Sequence, residues 1–192
     1  MDIINVPDIT TREGMYSYLK ENHDKLKEFW IRVNRSPEPC SDVIGYVDAV
    51  EVALCFGWID STIKHIDETH RAQHFTPRKK GSPYSRPNIE RLIWLEKQNM
   101  LTDEIRESVL PLIKAPYEFP EDIIAAIKEN TETWKNYQNF PEGYKRIRIA
   151  YIDAARNRPE EFKKRLESFI KKTHRNVLIK GFGGIDKYYS LP

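Results

Sequence analysis

The spacing of apolar residues divides the chain into an N-terminal stretch of mixed periodicity and a C-terminal stretch that is helical nearly throughout. Thr10 or Thr11, followed by Glu13 and then Met15, Tyr16 and Leu19, predicts a capped helix to about Asn22. Residues 28–33 hold Phe29, Trp30, Ile31 and Val33 around Arg32, the composition of a short strand. Pro37 and Pro39 then break the chain. Ser41 and Asp42 are placed to cap a helix whose apolar residues Ile44, Val47, Val50, Ala53 and Leu54 recur every three or four positions, and Gly57 terminates it. Residues 58–66 alternate, with Ile59, Ser61, Ile63 and His65 on one face and Asp60, Thr62, Lys64 and Ile66 on the other, so a strand is expected there with 74–76 as its partner. Beyond Pro87 the pattern predicts helices over 88–100, 103–113, 120–130, 142–156 and 159–173. The expected fold is α+β: a small, mainly antiparallel sheet packed by helices within residues 1–115, followed by an all-helical C-terminal part at 116–192.

Composition keeps the chain among ordinary globular proteins, with 192 residues, 40% hydrophobic and 31% charged. That is enough for one domain, or one with an appended subdomain, to bury a sizeable core without disulfides. Cys40 and Cys55 are too few for a disulfide framework, no run of about 18 apolar residues exists, and the first residues lack a signal core. A cytoplasmic protein with no membrane insertion is therefore expected. The net charge of +2 hides a local excess: residues 141–192 carry 13 Lys and Arg against 6 Asp and Glu. A second basic cluster comprises Arg71, Arg78, Lys79, Lys80, Arg86 and Arg91, with Glu90 as the only acid from Arg71 to Arg91.

Charge and turn chemistry together point to an anion. Asp60 follows closely on the end of a helix, where an unpartnered carboxylate is disfavoured by the dipole, so a cation is expected beside it. Arg78 and Lys64 are available, and the planar fork of Arg78 is the better match; the pair would either form a site or anchor the hairpin. Ser82, Ser85 and Asn88 follow the basic triplet, with Gly81 and Pro87 shaping the turn, so the start of the next helix would hold an anion or be a plain serine cap. Trp58 and Tyr84 would wall such a pocket or pack in the core. His65, His70 and His74 with Asp67 and Glu68 could be assembled into a metal site, but no helical His-x-x-x-His supports it and no metal or cofactor is expected. Cys55, beside His65 or His74, could serve as a nucleophile, yet it sits in the apolar run Ala53-Leu54-Cys55-Phe56, where an inert thiol is the usual outcome. P-loop, GxGxxG, GxSxG and HExxH motifs are absent. The C-terminal cations Lys163, Lys164 and Arg165 point around their helix among glutamates, which suits a solvated face better than a nucleic-acid stripe.

Three stretches carry a resemblance: VEVALCFGWIDS at 50–61, FTPRKKGSPYSRPNIERL at 75–92, and FPEDIIAAIKENTETWKNYQNFPEGYKRIRIAYIDAA at 119–155. They resemble the YdeI/OmpD-associated, or bacteriocin-protection, family, with Tyr84 where members often have Trp. The resemblance implies a role in resistance to bacteriocins or antimicrobial peptides and brings no reaction or cofactor with it. The expected function is a binding or interaction protein that holds an anionic small molecule or peptide carboxylate near Trp58, Asp60, Arg78, Ser82, Tyr84, Ser85 and Asn88, with a protein partner also conceivable. The alternatives are an enzyme using Asp60 as acid-base group and Arg78 as anion clamp, and a weak nucleic-acid binder led by the C-terminal basic helices.

Overall fold

A computed structural model describes residues 7–36, 40–66, 71–180 and 184–192. The break expected at Pro37 and Pro39 lies outside these, as do Asp67, Glu68 and His70 of the histidine cluster. The chain forms two compact units, each assembled from separate stretches: Met1–Tyr84 with Leu95–Pro111, and Ser85–Trp94 with Leu112–Pro192.

The first unit holds the sheet. Helix α1 (Arg12–Asn22) begins at Thr11, whose hydroxyl accepts from the Gly14 amide at 3.0 Å, and buries Met15 and Leu19. Strand β1 (Phe29–Asn34) buries every second residue, Phe29, Ile31 and Val33, as a strand with one face on a core must. The sheet order is β2-β1-β4-β3, with β2 (Ile44–Gly45) parallel to β1 and the pairs β1·β4 and β3·β4 antiparallel. Strand β3 is Trp58–His65 and β4 is Arg71–Pro77. Helix α2 (Tyr46–Cys55) packs on this sheet and on α1, burying Ala49 through Cys55 without a break.

Two expectations fail here for non-local reasons. Ser41 and Asp42 do not cap α2: Ile44 and Gly45 stay extended because they pair with Val33 and Asn34, so the helix starts at Tyr46 with Gly45 in the cap position, and the Ser41 hydroxyl donates to Asp42 instead. The strict two-face alternation over 58–66 also fails. The register passes from Asp60↔Phe75 to Ile63↔Gln73, a β-bulge with one extra residue on β3, which exchanges the faces beyond it. Gly57 ends α2 as expected, with φ at 71°, and a side chain there would meet Ile105 Cδ1 at 2.6 Å.

The second unit is helical. It takes the start of α3 (Arg86–Lys97) and the end of α4 (Asp103–Lys114), then α5 (Glu121–Lys128), α6 (Thr131–Asn139), α7 (Glu142–Asp153), α8 (Pro159–His174) and a 3-10 turn at Ile185–Tyr188. The sequence pattern did not separate α6; Asn130 caps it by accepting from the Thr133 amide at 2.9 Å. Its core includes Ile123, Ile127, Tyr144, Ile149, Ile152, Phe169 and Tyr188. The C-terminal segment seals it: the Gly143 amide donates to Leu191 O at 2.9 Å, and no side chain fits at Gly143 beneath the carbonyls of Tyr188 and Tyr189.

A candidate anion-binding cleft

A cleft of about 700 Å³ opens in the second unit, bounded by the first residues of α3, by α7, by α8 and by Ile179, Lys180 and Ile185. Its lining combines two kinds of chemistry. Ile147, Ile152, Phe169, Ile179 and Ile185 give it an apolar floor, four of them members of the core cluster itself. Arg86, Arg148, Lys164, Arg165 and Lys180 supply five cations against one carboxylate, Glu161. Ser85 and Ser168 add hydroxyls.

The cations are held in different ways, and this decides which charge is left for a ligand. Arg86 is committed to Glu90, a carboxylate with 0% exposure that accepts from Arg86 Nε at 2.7 Å and from Arg146 Nε and a terminal nitrogen at 2.7 and 2.9 Å. Arg165 lies 3.8 Å over the Tyr151 ring and donates to Glu161 and to the Tyr151 carbonyl, each at 2.7 Å. That hydrogen bond holds the Glu161 carboxyl below its ordinary value, with Arg165, Lys164 and Arg158 adding favourable charge. Arg148 meets no carboxylate among the described residues. One terminal nitrogen donates to the carbonyls of Ile179 and Lys180 at 2.6 and 2.7 Å and to the Tyr189 hydroxyl, while its buried Nε has no acceptor among the described residues. Burial pushes the Tyr189 phenol up to about 12 despite Arg148, so it stays neutral. Lys164 and Lys180 are exposed and make no ion pair among the described residues, although Lys164 lies near enough to Glu161 to favour its charged form. The charge of the cleft not tied up in ion pairs is therefore that of Arg148, Lys164 and Lys180.

The residues singled out in the sequence are distributed more widely. Ser85 lines the cleft, and its carbonyl accepts the first bond of α3 from Ile89 at 3.0 Å. Asn88 is buried and accepts from Arg91 at 2.8 Å. In the first unit Arg78, Ser82 and Tyr84 form one loop: Arg78 stacks 3.7 Å over the Tyr84 ring and donates to Ser82 O and Pro83 O at 3.0 Å and to Ser82 Oγ at 3.2 Å. Trp58 is 1% exposed and packs on Phe29 in the core. Asp60 is partnered by the Tyr46 hydroxyl at 2.7 Å and not by Arg78 or Lys64; a neutral donor answers the carboxylate where a cation was expected. Cys55 is buried, and desolvation pushes its thiol up to about 12, which removes the thiolate that a nucleophile needs. His74 has both ring nitrogens engaged, Nδ1 with Ser61 Oγ at 2.9 Å and Nε2 with Glu28 at 3.0 Å, and stacks on Trp30. No cluster of three or more His, Cys, Asp or Glu able to hold a metal occurs among the described residues. No described helix is long and apolar enough to cross a membrane.

Residues 8–108 match the model of a family described as Domain of unknown function (DUF8412); the match spans more than half of the chain, which belongs to that family. Residues 116–176 match the family described as Bacteriocin-protection, YdeI or OmpD-Associated. The resemblance seen in the sequence is thus carried by the C-terminal stretch, whereas 50–61 and 75–92 fall within the other match. All of α7 and α8, and so most of the cleft lining, lies inside residues 116–176. Comparison with curated proteins and with solved structures gives no match.

Proposed function

We propose that the chain is a cytoplasmic binding protein, related in role to bacteriocin or antimicrobial-peptide protection, whose ligand is an anion held in the cleft of the second unit. The observation that carries this reading is the lining: five cations against one carboxylate, with Arg148, Lys164 and Lys180 making no ion pair among the described residues. The reading keeps Ser85 from the residues first singled out and assigns the anion to Arg148, Lys164 and Lys180 rather than to Arg78, which braces its own loop through one terminal nitrogen and does not line the cleft.

The test is thermal melting in small oxyanions, phosphate and acetate, at constant ionic strength. Binding to the native state alone raises the melting temperature in a saturable way. The rise is expected in the parent chain, and the combined Lys164→Ala and Lys180→Ala variant is expected to lose most of it. An equal rise in both proteins would place the anion elsewhere.

A further inference from the structure

Resting on that reading, we infer that the ligand of the cleft is amphiphilic: an oxyanion head joined to an apolar chain or ring. Two independent features lead there. The volume of about 700 Å³ is that of a site for an organic molecule, several times what a bare phosphate or carboxylate would fill. Above the core residues Ile147, Ile152 and Phe169, the apolar lining that solvent reaches is supplied by Ala150, Tyr151, Ala154 and Ile179, half-buried or exposed, so the cleft is not lined by polar groups alone. A small oxyanion at Arg148, Lys164 and Lys180 would leave these apolar groups wet, whereas an apolar body on the same head would cover them. Each methylene taken out of water strengthens binding by about fourfold. A polyanion such as nucleic acid finds most of the arginine forks of the cleft already bound to Glu90 and Glu161.

Head and tail are separated by calorimetric titration of the full chain with four probes: octanoate, acetate, inorganic phosphate and 1-octanol, all below micelle-forming concentrations. Octanoate carries six more methylenes than acetate; with half of them buried it is expected to bind roughly fifty-fold more tightly. Charge reversal of two exposed residues, Lys164→Glu with Lys180→Glu, is expected to weaken octanoate about tenfold or more while leaving octanol unchanged, since each exposed charge is worth up to about fivefold. Acetate or phosphate binding as tightly as octanoate overturns the amphiphile and leaves the anion cleft standing. Octanol binding as tightly as octanoate, or no binding by any of the four probes, overturns both.

Discussion

Glu90→Gln probes the ion cluster that holds one wall of the cleft. Glu90 is fully buried and accepts four hydrogen bonds, two from Arg86 and two from Arg146, at 2.5–2.9 Å; the two arginine side chains are each 11% exposed. Removing one member of a buried ion pair costs about 3–5 kcal/mol, because the partner charge stays behind without compensation. Here two guanidinium groups are stranded together. Glutamine keeps one oxygen to accept from them, so the lower end, about 3 kcal/mol, is expected for Glu90→Gln and the upper end for Glu90→Ala. In a chain of this size that lowers the melting temperature by roughly 6–12 °C for the milder variant. Urea melts followed by far-ultraviolet circular dichroism measure the loss. Replacing the whole cluster, Arg86→Met with Glu90→Leu and Arg146→Met, is expected to restore most of the stability, since an apolar cluster of similar volume carries no desolvation cost. A loss below about 1 kcal/mol in Glu90→Ala would mean that the cluster is open to water, and the account of how Arg86 is held would fall.

Gly143→Ala drives a methyl group into the carbonyl of Tyr188 and crowds Leu191 O at 3.2 Å, so a loss of about 1–3 kcal/mol is expected, with faster tryptic cleavage at Lys187; unchanged stability and digestion would contradict the seal. With the disulfide reagent DTNB at pH 8, exposed Cys40 is expected to react promptly and Cys55 only after unfolding, giving one thiol per native chain and two in denaturant. Because the folded thiol of Cys55 is raised from 9.0 to about 12, its contribution to stability is fully present below pH 9 and lost as the pH rises towards 12; equal reactivity of both native thiols would refute this. Glu161 has the opposite sign: its lowered value adds stability above the ordinary 4.5 that disappears as the pH falls through the folded value, so Glu161→Gln is expected to flatten the acid limb of a melting-temperature profile.

Local signals in the sequence located what local physics builds. Thr11 as a cap, the alternation of Phe29, Ile31 and Val33, and the glycine stop at Gly57 each act within a few residues, and each appears in the structure. The two-residue strand β2 and the bulge after Asp60 depend on pairing with distant chain, so no window of sequence contains them. The same holds for the cleft. Its cations come from positions 86, 148, 164, 165 and 180, which only folding brings together. Two of its traces were visible beforehand: the basic excess of residues 141–192, and Ser85 at a helix start. The face of α8 carrying Lys163, Lys164 and Arg165 reads from the sequence as a solvated one; Lys163 does sit 4.0 Å from Glu167 outside, but Lys164 and Arg165 line the cleft. The loop of Arg78, Ser82 and Tyr84 drew notice for its charge, and that charge braces the loop itself.

The central claim, an anion seated in the cleft of the second unit, is tested most directly by amide chemical-shift mapping during titration with octanoate. The account expects the largest, saturable shifts at Arg148, Tyr151, Lys164, Phe169 and Lys180, which come from three separate stretches and share only the cleft. Shifts centred on Arg78, Ser82 and Tyr84, with the cleft residues unmoved, would contradict it and return the site to the first unit.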